Sequence, residues 1–267
     1  MPGSMLEGFN SIPETIEAFR NGEFIVVLDD PGRENEGDLI IAAEDVTTEQ
    51  MAFLIRHSSG IICAPLLPTR ADRFNLPPMV VNNEDPRGTA YTLTVDAADA
   101  IVSTGISAHD RALACRRLAQ DDAELEALVA SQQQSQNGSN GSSNGSGNGH
   151  AAAPVTAAAA FRRPGHVLPL RARPGGVRER CGHTEAAVDF CRLTGKKRVA
   201  VISELIDDGE SVPGKPLRLN SGMLRGDGCI AFAQKWGLKV CTISDLAAYL
   251  EKTHPTGAFP GPQADEA

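Results

Sequence analysis

The sequence predicts an α+β (mixed α/β) fold, a three-layer single domain in which a mixed, twisted β-sheet carries helices on both faces. Short apolar runs rich in β-branched residues, typical of strands, occur at residues 24–28, 38–43, 198–205 and 239–242. Segments with helix-capping residues lie between them. Strands and helices alternate only imperfectly, and no glycine-rich phosphate-binding fingerprint follows the first strand. We therefore expect a mixed sheet rather than a Rossmann fold.

Three helix starts are recognisable in the first half of the chain. Ser11 with Glu14 and Thr47 with Gln50 fit capping boxes, in which side chains satisfy the free N–H groups of the first turn. Ser107 follows a loop and caps a third helix. We expect helices over residues 12–21, 48–57 and 107–119, the third either ending there or continuing to 130.

The other elements are shorter or less regular. We expect strands at residues 61–64 and 91–95, one helical turn at 70–75, and at 161–171 a loop leading into a short strand. A helix opens at Cys181 and ends at Gly195, because glycine suits a helix C-terminus. Residues 207–228 are polar and glycine-rich and show no clear element. Two last helices are expected at 229–236 and 244–250.

The composition changes abruptly after residue 130. Residues 131–149 are all Gln, Ser, Asn or Gly, and an alanine-rich stretch follows. Such a tract buries too little apolar surface to offset the entropy of ordering it. We expect a disordered insertion at 131–159 within one domain spanning 1–255; a linker between two domains is the alternative. The Pro- and Gly-containing residues 256–267 are predicted to be a flexible tail.

The net charge, the hydropathy and the cysteine spacing argue against several classes of protein. A net charge of −9 argues against general nucleic-acid binding. No apolar run approaches the length of a membrane span, and the N-terminus lacks the apolar core of a signal peptide. The six cysteines form no CxxC pair and no zinc spacing, which indicates reduced thiols. We expect a cytoplasmic protein without a nucleic-acid or membrane partner.

An acidic loop joins the first two predicted strands. Within ten residues it carries five carboxylates and a single cation, Arg33; the carboxylates are Asp29, Asp30, Glu34, Glu36 and Asp38. Crowded carboxylates between two apolar runs raise one another's pKa values. Hard oxygen ligands of this kind suit Mg²⁺ or Mn²⁺. A solvated turn is the alternative interpretation.

The segment from Arg180 to Thr184 is a second candidate site. A helix N-terminus presents free N–H groups and a positive dipole end, and with Arg180 and Thr184 it would bind phosphate or carboxylate. His183 would supply an imidazole to a metal if Glu34 approaches it. A threonine-capped helix with an unrelated histidine is the alternative.

Three more residues are candidates for chemistry. His166 follows a Pro-Gly turn and suits proton transfer near neutral pH, or else is a structural histidine. Glu204 ends an apolar strand, where it serves as a base or forms a buried ion pair. Cys63 is a core thiol, or a possible redox thiol if it is exposed near the acidic loop.

These motifs, in this order, resemble the 3,4-dihydroxy-2-butanone 4-phosphate synthases of riboflavin biosynthesis. The resemblance spans about residues 10–120 and 161–252 and rests on LDDPGRENEGDLIIAAE, IRHSSGIICAP, TGISAHDR and RPGHVLPLRARPGGVRERCGHTEAAVDFCRL. It implies a lyase that converts D-ribulose 5-phosphate to L-3,4-dihydroxybutan-2-one 4-phosphate and formate. It also implies Mg²⁺ or Mn²⁺, two per active site, and a homodimer with active sites near the interface. No segment resembles the GTP cyclohydrolase II fused to some members, so a monofunctional form is expected.

The resemblance also assigns roles residue by residue. Glu34 and His183 match the metal ligands. The positions that match substrate contacts are Arg33, Glu34, Asp38, Arg180, Cys181, Gly182, His183, Thr184 and Glu204. The candidates for catalysis are His166, Glu204, Asp38 and Glu36. Cys181 stands where glycine is more usual and Ser203 where cysteine is common, and neither replaces a required group.

The implied mechanism forms an enediolate after loss of a C1 proton, then proceeds by dehydration at C3, skeletal rearrangement and loss of C4 as formate. A divalent metal pair would stabilise the negative charge on adjacent oxygens. Two alternatives belong to other classes. One is a non-catalytic nucleotide- or RNA-binding module of the same fold, and the other is a metal-dependent aldolase or isomerase acting on another pentose phosphate.

Overall fold

A computed structural model describes residues 8–139 and 155–255. The helices in these ranges are α1 Ile12–Arg20, α2 Thr48–His57, α3 Pro68–Arg73, α4 Ala108–Ala119, α5 Asp122–Ser139, α6 His183–Thr194, α7 Asp227–Trp236 and α8 Ile243–Thr253. The capping boxes at Ser11 and Thr47 are both formed, and Ser107 accepts the N–H of Asp110, which confirms the three predicted helix starts. No helix in the described part of the chain is both long and apolar enough to cross a membrane.

Seven strands form one mixed sheet. They are β1 Ile25–Leu28, β2 Gly37–Ala42, β3 Cys63–Leu66, β4 Val95–Ala97, β5 Phe161–Arg171, β6 Ala200–Glu204 and β11 Lys239–Thr242, in the spatial order β11-β1-β2-β6-β3-β5-β4. The pairs β1–β11 and β3–β5 are parallel, and the other neighbours are antiparallel. Two small ribbons pair β7 Ile206–Asp207 with β10 Gly222–Met223, and β8 Glu210–Ser211 with β9 Arg218–Leu219.

Each face of the sheet has its own hydrophobic core. Along β1, Val26 and Leu28 point to the core under α2, α4 and α7, whereas Ile25 and Val27 point to the core under α1, α6 and α8. Because both faces are covered, a central strand such as β1 is apolar throughout instead of alternating. This arrangement of helices on both faces of a mixed sheet confirms the predicted fold class.

Three predicted strands needed correction. The third strand is Cys63–Leu66 rather than 61–64, with Pro65 inside it. The fourth is Val95–Ala97, and residues 91 and 92 contribute only isolated bridges. The segment predicted as a loop and a short strand is the 11-residue strand β5. It pairs with β3 over residues 168–171 and with β4 on both sides of the Pro-Gly step, where the register between β4 and β5 shifts.

The predicted insertion at 131–159 is too wide at both ends. Helix α5 continues to Ser139, and Ala157–Ala160 form a 3₁₀ turn in which Ala157 and Ala160 are buried in the core beside α5. Burial of these alanines offsets the cost of ordering them. Residues 140–154, and the tail predicted at 256–267, lie outside the described residues. The polar stretch after residue 206, for which no element was predicted, forms the two small ribbons.

Candidate active site

A pocket of about 150 Å³ opens where β2 begins, β6 ends and α6 begins. It brings together residues that were predicted from four separate segments of the sequence. Those that line it are Arg33, Glu34, Glu36, Asp38, Cys63, Arg180, His183, Thr184 and Glu204. The acidic loop and the helix start at Arg180 therefore belong to one site.

The acidic loop is held in shape by Asp29, which is 3% exposed. One Asp29 oxygen accepts the backbone N–H of Glu36 at 2.9 Å. The other accepts the N–H of Glu34 at 3.2 Å and Nη1 of Arg33 at 2.7 Å. Because these three hydrogen bonds engage both carboxylate oxygens of Asp29, this residue supports the loop. Glu34 and Glu36 instead face the pocket. Glu36 in turn accepts a hydrogen bond from Arg225 at 2.7 Å.

Asp38 and Glu204 face each other across the β2–β6 pair. Asp38 is 3% exposed, and its Oδ1 has no hydrogen-bond partner within the described chain. Burial and then the nearby charge of Glu204 raise the pKa of Asp38 well above its usual value. Glu204 is partly exposed and accepts a hydrogen bond from Oγ of Ser59 at 2.9 Å.

His183 is oriented by the backbone of β1. Its Nε2 lies 3.1 Å from the carbonyl oxygen of Val27, to which it donates. Burial lowers the pKa of His183 to about 4, so the ring is neutral at physiological pH. Its Nδ1 then carries a lone pair and lies 3.7 Å from Oδ1 of Asp38. A neutral imidazole fixed through its other nitrogen is the usual form of a metal-ligating histidine.

The donor set around Asp38 fits a hard divalent cation. Nδ1 of His183, the carboxylate of Glu34 and the unpartnered Oδ1 of Asp38 are the available donors. Glu34 also accepts hydrogen bonds from Arg33 at 2.7 Å and Arg87 at 3.1 Å. No preassembled group of three or more His, Cys, Asp or Glu ligands occurs in residues 8–139 and 155–255. Water and substrate oxygens would complete the coordination, which Mg²⁺ tolerates.

Arg180 connects the start of α6 to the loop at residues 87–89. Its guanidinium donates to Glu185 at 2.5 Å, to Oγ1 of Thr89 at 3.1 Å and to the carbonyl of Arg87 at 3.2 Å. Helix α6 begins after Gly182, which provides no side-chain cap, so its first N–H groups remain available. Together with Thr184, these groups form a site for an anionic substituent.

The sequence matches the family model of 3,4-dihydroxy-2-butanone 4-phosphate synthase over residues 13–249. The chain belongs to this family. A 3,4-dihydroxy-2-butanone 4-phosphate synthase from Pyricularia oryzae is 58% identical, covering 92% of this chain and 91% of the relative. One from Schizosaccharomyces pombe is 46% identical, covering 90% and 97%. A crystal structure of such a synthase in complex with two magnesium ions superposes with a TM-score of 0.77 at 58% identity, covering 92% and 98%. The resemblance and the expectation of an enzyme are thus confirmed.

His166, a catalytic candidate of this synthase family member, does not line the pocket of its own chain. It lies two residues before Leu168 on β5, which is the register partner of the pocket residue Cys63 on β3. Its Nδ1 is 2.9 Å from a carboxylate oxygen of Asp96. Proton transfer requires hydrogen-bond reach, and no side-chain hydrogen bond or ion pair joins His166 to a pocket residue within the described chain, so its catalytic function stays a prediction.

Two cysteines contribute less to the site than their positions suggested. Cys63 lines the pocket but is buried, and burial raises its pKa well above the usual value of a thiol. This disfavours the thiolate that oxidation requires, so its redox role stays a prediction. Cys181 is exposed, and its Sγ donates to the carbonyl of Val177 at 3.3 Å rather than lining the pocket.

One group of residues that lines the pocket was not predicted from the sequence. Residues 82–91 were interpreted only as a turn-rich loop followed by a strand, yet Asp85, Arg87, Thr89 and Tyr91 line the cavity. The only local signal was the mixture of charged and hydroxyl side chains in a loop. Their contact with Arg180, more than 90 positions away, has no local signature.

Proposed function

We propose that the chain converts D-ribulose 5-phosphate to L-3,4-dihydroxybutan-2-one 4-phosphate and formate, within riboflavin biosynthesis. The observation that carries the proposal is the convergence of Asp38, Glu204, His183 and Arg180 in one pocket of about 150 Å³. Relatives with this synthase name cover nearly the whole chain. The alternative of a non-catalytic binding module is not favoured, because the proposed metal ligands and Glu204 are all present in the pocket.

The phosphate of the substrate would lie at the start of α6. Arg180 supplies a guanidinium, and Thr184 and the first N–H groups of α6 supply hydrogen-bond donors. This places the sugar chain toward the acidic side of the pocket. Anchoring at one end orients C1 to C4 among Asp38, Glu204 and His183.

Mg²⁺ is the proposed cofactor, with two ions per site; the related crystal structure is a complex with two magnesium ions. Glu34 and His183 would hold it, since both present donors to the same side of the pocket. When bound, the metal supplies electrostatic stabilisation of adjacent substrate oxygens that become negatively charged. Mn²⁺ suits the same oxygen and nitrogen ligands.

The protein's own groups divide into a base and an acid. Glu204 is partly exposed to the pocket and is proposed to remove the C1 proton, which gives an enediolate. Asp38, whose raised pKa favours a protonated carboxyl, is proposed to protonate the C3 hydroxyl as it leaves as water. A skeletal shift follows, and C4 departs as formate. The water lost at C3 is balanced by the water added to C4 before cleavage.

The position of His166 supports a homodimer with composite sites. Two exposed apolar side chains lie next in sequence to residues near this histidine: Leu93 precedes Thr94, which accepts the N–H of Gly165, and Ile106 follows Gly105, which lies against His166. A cluster of exposed apolar residues beside a polar site is typical of an interface between subunits. In a two-fold dimer, the partner subunit's His166 would reach the pocket, and each chain would complete the site of the other. The enzyme is expected in the cytoplasm, where its cysteines stay reduced.

Formate release from D-ribulose 5-phosphate, measured with Mg²⁺ and again after addition of EDTA, tests the proposal. The expected result is formate release that EDTA abolishes and added Mg²⁺ restores. Parallel assays with D-ribose 5-phosphate and D-xylulose 5-phosphate separate this activity from an aldolase or isomerase. Absence of formate from the folded protein with Mg²⁺ present would contradict the proposed reaction.

A further inference from the structure

We propose that Ser59 is a positioning residue for Glu204. Its hydroxyl group holds one oxygen of the Glu204 carboxylate, Oε2, and leaves the other, Oε1, to accept a proton from the substrate. The inference rests on the proposed function of Glu204 as the base that removes the C1 proton. It gives a function to the motifs IRHSSGIICAP and TGISAHDR, which contain none of the residues proposed above to bind metal or phosphate.

Ser59 binds Glu204 through two hydrogen bonds. Its backbone N–H donates to the carbonyl oxygen of Glu204 at 2.8 Å, and its Oγ donates to Oε2 of the carboxylate at 2.9 Å. Within the described chain, the Glu204 carboxylate forms no other hydrogen bond and no ion pair. The Ser59 hydroxyl is therefore the one group there that fixes the orientation of this carboxylate, and a hydrogen bond to a charged acceptor is stronger than one between neutral groups.

The turn that carries Ser59 is itself fixed on three sides. Ser58 is 3% exposed and donates its hydroxyl proton to a carbonyl group of α2 at 2.5 Å. The same hydroxyl accepts hydrogen bonds from Oγ of Ser203 at 2.8 Å and from the N–H of Gly60 at 3.2 Å. Arg111 of α4 donates to the carbonyl oxygen of Gly60 at 3.1 Å. Because α2, β6 and α4 all bind this turn, the Ser59 hydroxyl has a defined position from which to hold Glu204.

Ser59 lies behind Glu204 as seen from the pocket. Glu204 lines the cavity, whereas Ser59 does not. Ser59 therefore acts on the substrate only through Glu204. The residue is exposed, so a methyl group added in Ser59→Thr has space, and this variant keeps the hydroxyl donor.

Ser59→Ala removes the hydroxyl group and keeps the backbone hydrogen bond. We expect kcat for formate release to fall by about 10- to 100-fold, the range that corresponds to one hydrogen bond to a charged group. KM for D-ribulose 5-phosphate should change by less than about threefold, because the proposed phosphate site is intact. Ser59→Thr should retain at least about half of the wild-type kcat. With substrate deuterated at C1, the isotope effect on kcat in Ser59→Ala should be at least as large as in the wild type, since the C1 step is the one slowed.

The matched control is Ser11→Ala. Ser11 also donates its hydroxyl proton to a glutamate, Glu14 at 2.7 Å, but at the start of α1 and away from the pocket. This variant should have a lower Tm and the wild-type kcat. The stoichiometry of Mn²⁺ binding, measured by electron paramagnetic resonance, should be equal in all variants. Equal stoichiometry excludes an inactive fraction as the cause of a lower kcat.

Three results would overturn the proposal: wild-type kcat in Ser59→Ala, an equal loss of kcat in Ser59→Thr, or an isotope effect in Ser59→Ala smaller than that of the wild type. If Ser59→Ala does not fold, Ser59→Cys decides the question with the same expectations, because a thiol is a weak donor of similar size. Absence of formate from the wild type would instead contradict the proposed function. Full activity of Glu204→Gln would contradict the assignment of the base, and both results are distinguishable from the effect of Ser59.

Discussion

Asp38 and Glu204 are directly opposite each other on the antiparallel strands β2 and β6, with both side chains at the pocket. Two carboxylates in this arrangement repel each other unless one is protonated or a cation lies between them. Asp38 is the more deeply buried of the two and carries an oxygen without a hydrogen-bond partner in the described chain. In the metal-free protein, the raised pKa of Asp38 favours the protonated form of this carboxyl beside Glu204.

The stability of the metal-free protein should depend on pH through Asp38. Burial and the charge of Glu204 raise its pKa in the folded state above the unfolded value. The folded state therefore binds a proton more tightly, so this stabilising contribution is complete below the unfolded pKa, near 3.9, and is lost as pH rises through the raised folded pKa.

Asp38→Asn should remove this loss of stability at high pH, because an amide does not ionise. In EDTA, thermal unfolding is expected to show a higher Tm for Asp38→Asn than for the wild type at pH 8, and a smaller difference at pH 5. Asp208→Asn, which replaces an exposed carboxylate, should show no such trend. A Tm gain that is equal at both pH values, or a loss at pH 8, would contradict the assignment of Asp38.

Arg180→Gln should weaken substrate binding more than turnover. The substitution removes the guanidinium at the proposed phosphate site and its bonds to Glu185, Thr89 and the Arg87 carbonyl. We expect KM for D-ribulose 5-phosphate to rise by roughly 10- to 100-fold, since charge-assisted hydrogen bonds contribute about 1.5–3 kcal/mol. Arg178→Gln is the control, because Arg178 binds carbonyl groups at the end of α8. An unchanged KM for Arg180→Gln would place the phosphate elsewhere.

If each active site contains residues of both subunits, two variants that are inactive alone should regain activity in a mixed dimer. His166→Gln and Glu204→Gln should each be nearly inactive alone. In a mixed dimer, the site with an intact Glu204 receives an intact His166 from the partner, whereas the second site lacks both. Random pairing gives about half mixed dimers, and hence about a quarter of wild-type activity. Activity after co-expression is the measurement, and no recovery in verified mixed dimers would contradict composite sites.

Cys181 should react with disulfides before Cys63 does. Cys181 is exposed, whereas burial raises the pKa of Cys63 and suppresses its thiolate. Mass spectrometry after mild treatment with oxidised glutathione should find Cys181 modified and Cys63 unmodified. Preferential modification of Cys63 in the folded protein would support the redox function suggested for it from the sequence.

Local signals account for the parts of the fold that were predictable from sequence. The capping boxes at Ser11 and Thr47, and glycine at position 195, act within one helical turn and were interpreted correctly. Strand β5 was not, because its extended form depends on pairing with β3 and β4, which lie far away in the sequence.

The difference between local signals and contacts between distant segments also applies to the site. The acidic loop and the helix start at Arg180 are short motifs with typical spacing, so their residues were identified before the structure. Asp96 is 70 positions from His166, and Arg87 is 53 positions from Glu34. Such partners are set by the topology of the sheet and the path of a loop, which no local pattern encodes.

Following C4 of D-ribulose 5-phosphate through the reaction tests the proposed function most directly. D-Ribulose 5-phosphate labelled with ¹³C at C4 is incubated with the enzyme and Mg²⁺, and the products are followed by ¹³C NMR, with Glu204→Gln as the control. The account predicts ¹³C-formate, an unlabelled four-carbon phosphate, and loss of both products in Glu204→Gln with its fold intact. Label retained in an organic phosphate, or undiminished formate from Glu204→Gln, would contradict it.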